Sequence, residues 1–61
     1  MPFIQIHMVE GRTVEQKREI AQAVTREVAR IAKVDQSRVK IYFFDLPKEN
    51  VSSGGTLRID E

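Results

Sequence analysis

Residues 13–33 read TVEQKREIAQAVTREVARIAK, and the periodicity of this stretch decides the fold. Ile20, Val24, Val28 and Ile31 recur at the spacing of one helical face, and Ala21 and Ala32 widen the stripe. Arg18, Gln22, Arg26 and Arg30 occupy a largely different face that suits solvent. Thr13 and Gln16 stand in the register of a capping box, in which each side chain bonds the other residue's backbone N–H, so the helix is expected to begin at Val14. Glu15 in the first turn and Lys33 in the last suit the helix dipole. A helix from Val14 to Lys33 is about 30 Å long, with one side to bury. The stripe lacks the Trp or Phe anchors of a membrane-surface helix.

A strand is expected on either side. PFIQIHMV, residues 2–9, alternates imperfectly, with Ile4, Ile6 and Met8 on one face and Phe3, Gln5, His7 and Val9 on the other. Pro2 suits a strand start, where its missing N–H breaks no ladder bond. EGRT ends the strand, with Gly11 as the turn residue. After the break DQSR, the run VKIYFF, residues 39–44, is the strongest strand in the chain. Val39, Ile41 and Phe43 take one face, while Tyr42 and Phe44 make the other apolar as well. A helix between two strands permits a crossover that leaves them parallel, giving an α+β fold built on a β-α-β unit. The tail DLPKENVSSGGTLRIDE carries Pro47, the flexible SSGG and a short LRI that suits a final strand or hairpin edge. No internal repeat or second domain is evident, so residues 1–61 are expected to form a single domain.

A 61-residue chain buries only about 60% of its extended-chain surface on folding, which leaves a lone core marginal. Disulfides, a metal or self-association are the usual remedies. With no cysteine and the single histidine His7, the chain has no disulfide and no structural zinc set to draw on. One helix covers one side of a two-stranded sheet, so the second apolar face calls for another subunit. Ten Lys and Arg against nine Asp and Glu give a net charge of +1, with the two signs interspersed, which argues against a nucleic-acid surface. No apolar run approaches a membrane span, and Glu10 interrupts the first apolar segment in a way that does not suit a signal peptide. A cytoplasmic location is the resulting expectation.

The sequence lacks a phosphate-binding glycine loop, a nucleophile elbow around Ser52 and Ser53, and a ligand cluster around His7, so neither a metal nor an organic cofactor is expected. His7 reads as a strand side chain on a partly exposed face. Pro2 is different. Once Met1 is removed, which a small second residue permits, the chain begins with a secondary amine that can take up and return a proton. Partial burial and nearby cations disfavour the ammonium form and bring such an amine into the range of a base at neutral pH. Arg12 is the nearest candidate cation, able to grip a substrate carboxylate through two parallel hydrogen bonds.

Together, PFIQIHMVEGR (residues 2–12), TVEQKREI (13–20) and NVSSGGTL (50–57) resemble the 4-oxalocrotonate tautomerase family over nearly the whole chain. The resemblance implies a β-α-β unit with a short C-terminal hairpin, and a homohexameric isomerase, commonly a trimer of dimers, with active sites formed between subunits. It implies that Pro2 is the catalytic proton shuttle in enol–keto conversion of 2-hydroxydienoates and that Arg12 binds substrate. At two further site positions the sequence departs from the family. Lys40 stands where the dienoate enzymes carry a second arginine, and Val51 stands where a phenylalanine packs at the mouth of the site. Lysine keeps the charge but not the planar fork, and valine leaves a wetter pocket. Two alternatives stay open: dehalogenation or decarboxylation of small unsaturated acids by the same proline, and a non-enzymatic oligomeric binding protein on the same scaffold.

Overall fold

The computed structural model describes residues 2–61, so the removal of Met1 lies outside the described residues. The chain runs through β1 (Phe3–Val9), α1 (Val14–Ala32), β2 (Lys40–Leu46), β3 (Ser52–Ser53) and β4 (Thr56–Leu57), with short 3-10 turns at Gln36–Arg38, Lys48–Asn50 and Arg58–Asp60. β1 and β2 pair in parallel from Phe3↔Lys40 to Val9↔Leu46, and β3 and β4 form a separate antiparallel hairpin. This is the β-α-β unit with a C-terminal hairpin that the sequence leads one to expect.

α1 begins as the capping box requires. The Gln16 N–H donates to Thr13 Oγ1 at 3.1 Å, and the Thr13 N–H donates to Gln16 Oε1 at 2.9 Å. Two donors that the first turn would otherwise leave unpaired are thereby satisfied. Thr13→Ala is expected to cost about 1 kcal/mol, read as a lower urea midpoint at fixed protein concentration. The helix ends one residue before the expected Lys33, which instead adopts the left-handed conformation (φ 58°) and donates its N–H to the Ala29 carbonyl as the C-cap. The break before β2 is ordered: the Asp35 carboxylate accepts the Ser37 N–H at 3.0 Å and the Ser37 hydroxyl at 2.5 Å. These bonds, the hydroxyl's first, hold the Asp35 carboxyl below the ordinary carboxylate value.

Ile4, Ile6 and Met8 of β1 and Ile41 and Phe43 of β2 are half-buried, as are Ile20, Val24 and Val28 of α1. Ala29, 6% exposed, is the one buried hydrophobic residue among those described. Ile31 departs from the expected stripe. It shares the angular position of Val24 two turns earlier, but it lies in the last turn of α1, where two strands offer it no cover, and it is 68% exposed. The C-terminal segment also differs in detail: β4 takes only Thr56–Leu57, and Arg58–Asp60 form a 3-10 turn instead of extending the strand. Gly54 (φ 57°) and Gly55 (φ 87°) form the two-residue hairpin turn, which needs positive φ at both positions.

The chain is thin and extended, 43 × 23 × 13 Å, with a radius of gyration of 14.5 Å. A compact chain of this length has a radius of about 10.5 Å. Its accessible surface, 4816 Å², exceeds the roughly 4000 Å² of a compact monomer of this size. Two features account for the excess. The face of the sheet away from α1 carries Phe3, Tyr42 and Phe44 in the open, and the backbone bonds Asn50 N–H to Pro47 O and Arg58 N–H to Val51 O close the hairpin segment on itself.

Candidate active site

Pro2 lies half-buried just ahead of β1, and its carbonyl accepts the Lys40 N–H at 3.1 Å. The parallel register explains the contact. Because Phe3 pairs with Lys40, the residue before Phe3 closes the ladder at the start of β2. Pro2 has no N–H to contribute there and uses its carbonyl instead. A ring nitrogen and a lysine 38 positions apart in sequence thus belong to one end of one sheet.

Arg12 lies elsewhere. It follows β1 in an exposed loop, and the seven residues of β1 separate it from Pro2 by about 23 Å at about 3.3 Å per residue. No ion pair or hydrogen bond engages its side chain among the described residues. The loop turns at Gly11, whose φ of 119° a side chain would strain. Val51 is half-buried at the start of the hairpin, and its carbonyl accepts the Arg58 N–H at 2.7 Å. One chain therefore brings Pro2 and Lys40 together and keeps Arg12 apart. A site that uses both Pro2 and Arg12 draws them from different chains.

Two features escaped the sequence reading. His7 stacks on Phe44, with ring centroids 4.7 Å apart and planes within 10°, on the outer face of the sheet. The register His7↔Phe44 explains the meeting, and only the strand pairing could have revealed it. The second is an ion pair between Lys17 at the start of α1 and Asp45 near the end of β2, with Nζ and Oδ2 2.6 Å apart. An open groove of about 360 Å³ beside α1, lined by Ala21, Gln22, Thr25, Arg26 and Gln36, includes none of the four candidate site residues.

The Tautomerase enzyme family model matches residues 2–58, spanning β1, α1, β2 and the hairpin. The chain belongs to the tautomerase family. Among curated relatives, a 2-hydroxymuconate tautomerase of Comamonas testosteroni is 40% identical over 55 residues, covering 90% of this tautomerase and 87% of the relative. A probable tautomerase of Streptococcus agalactiae is also 40% identical, over 95% of this chain and 97% of its own. Among solved structures, a 4-oxalocrotonate tautomerase isozyme from Methylibium petroleiphilum superposes with a TM-score of 0.91 at 37% identity, covering 97% of this chain and 95% of the other. The heterohexamer 4-oxalocrotonate tautomerase from Chloroflexus aurantiacus gives 0.93 at 30% identity, over 98% and 97%. This tautomerase is a 4-oxalocrotonate tautomerase-like isomerase. Among the described residues no helix is long and apolar enough to cross a membrane.

Proposed function

We propose that this tautomerase interconverts the enol and keto forms of small 2-hydroxydienoates or related 2-oxo acids, with Pro2 as the proton-transferring base and acid once Met1 is removed. The observation that supports this reading is the bond between the Lys40 N–H and the Pro2 carbonyl, which joins these two residues at one end of the sheet. A partly buried setting and a nearby cation are the conditions under which such an amine keeps its lone pair. Neutral Pro2 takes the hydroxyl proton of the dienol as the 2-oxo group forms, and the prolyl ammonium returns a proton to C3 or C5 of the conjugated chain. The enol C=C pair supplies the electrons of the new C–H bond, so atoms and charge balance without a cofactor. Arg12, from a neighbouring chain, grips a carboxylate, Lys40 stabilises the developing oxygen charge, and Val51 lines the mouth.

The chain acts as one tautomerase-like domain in a homo-oligomer of hexameric size, in the cytoplasm; the Chloroflexus aurantiacus neighbour is itself a heterohexamer. Its radius of gyration and bare apolar sheet face support assembly. The relative from Comamonas testosteroni, named for 2-hydroxymuconate, supplies the first substrate to try. Ultraviolet absorbance of 2-hydroxymuconate, with protein whose intact mass lacks Met1, is expected to report enol loss and keto gain well above buffer. Inertness toward this acid together with halide or CO₂ release from a halogenated or carboxylated unsaturated acid would move the same proline to lyase-type chemistry.

A further inference from the structure

The loop that carries Arg12 is tied at both ends. At its start, the Glu10 N–H donates to the Leu46 carbonyl at 2.9 Å, anchoring the exit of β1 to the end of β2. At its end, Thr13 is held by the capping box and accepts the Lys17 N–H at 3.1 Å. Between these anchors lie only Gly11 and Arg12, and Gly11 is the residue with the widest conformational freedom. The two anchors belong to different elements, β2 and α1. One side-chain bond joins those elements here: Lys17 Nζ to Asp45 Oδ2, 2.6 Å, one residue from Leu46 and one helical turn from Thr13.

We propose that Lys17 and Asp45 are positioning residues for Arg12, fixing the angle at which the loop presents its guanidinium to a substrate carboxylate in the neighbouring chain's site. The inference rests on the substrate-binding role of Arg12 proposed above. The pair is suited to the task in a way that the other ion pairs are not. Arg18–Glu15, Arg30–Glu27 and Arg58–Glu61 each join residues three apart within one element or its cap, so they constrain nothing between elements. Lys17–Asp45 spans 28 positions, and the Lys17 side chain is 25% exposed, against 56% or more for the arginines of those pairs. Asp45 is 46% exposed, so the pair adds little stability, and its consequence lies in tying the start of α1 to the end of β2. Asp45 takes the α1-facing side of β2 because Phe44 turns outward to His7, so the strand's alternation aims the carboxylate at the helix start.

The test uses steady-state kinetics on 2-hydroxymuconate with Asp45→Asn, Lys17→Met, Asp45→Glu and Arg12→Ala, each confirmed as an intact assembly by native mass. Asp45→Asn and Lys17→Met are each expected to raise KM about fivefold, with kcat within about twofold and its pH profile unmoved. Asp45→Glu keeps the charge and is expected to recover most of the loss. On an Arg12→Ala background Asp45→Asn is expected to add nothing, because the two act through one contact. A full additional rise on that background, or an unchanged KM with only a lower melting temperature, would overturn the proposal. An unchanged KM in Arg12→Ala itself would instead place the failure in the role of Arg12 and remove the inference with it. Amide hydrogen exchange gives a reading independent of turnover. Asp45→Asn is expected to speed exchange at the hydrogen-bonded Glu10 and Thr13 amides that anchor the loop while β1 stays protected, and unchanged exchange there contradicts the positioning role.

Discussion

Acylating the Pro2 amine is expected to abolish turnover, and Pro2→Ala to lower kcat about 100-fold while leaving the oligomer intact. The size follows from the contribution of a positioned acid–base group, about 10²–10⁴-fold. Alanine keeps an α-amine, so Pro2→Ala stays near the lower end, whereas an amide nitrogen offers no basic lone pair and falls beyond it. Assembly is spared because Pro2 makes its ladder bond through its carbonyl, which alanine also has. Kinetics of the blocked and substituted proteins, each with its processed mass verified, check the pair. Undiminished turnover in either would remove Pro2 from the chemistry.

The second large effect concerns the face of the sheet away from α1. Tyr42 is 52% exposed and Phe44 41% exposed in the single chain, flanked by Phe3 and by His7 stacked on Phe44. Burying one such side chain contributes about 1.5–3 kcal/mol, and each copy in an assembly contributes its own. Tyr42→Asp combined with Phe44→Asp is therefore expected to give monomer by sedimentation at micromolar concentration, with most of the helical circular dichroism lost. Helix loss should accompany dissociation because Ala29 is the one buried hydrophobic residue among those described, too little core for the separate chain. A folded oligomer of this double variant would show that another surface carries assembly.

Sequence periodicity located α1, its capping box and both long strands, because each is set by residues near one another in the chain. The Thr13–Gln16 box needs only a three-residue spacing, and both of its bonds are present. Ile31 shows what periodicity leaves out, since it reports angle around the helix and not what lies beneath a given turn of the single chain. Arg58–Asp60 left the strand pattern because β4, paired over two residues with β3, gives no ladder to extend. Of the candidate site, Pro2 and Lys40 are neighbours only because the parallel register sets Phe3 opposite Lys40. Lys17–Asp45 was illegible for the same reason, since a 28-residue separation carries no local signal. Arg12 was legible as a cation after a strand, but its distance from Pro2 comes from the straight run of β1.

That separation makes the central claim testable in one experiment: that Pro2 and Arg12 meet only between chains. Pro2→Ala and Arg12→Ala proteins, assayed at a substrate concentration where each parent is expected to turn over slowly, are unfolded, mixed in equal amounts and reassembled, and turnover of 2-hydroxymuconate is measured. Random mixing gives about a quarter of the sites an intact Pro2 from one chain and an intact Arg12 from another, so activity should return to about 25% of wild type. Activity no greater than the average of the two parents would mean that no site is shared between chains, and would contradict the account.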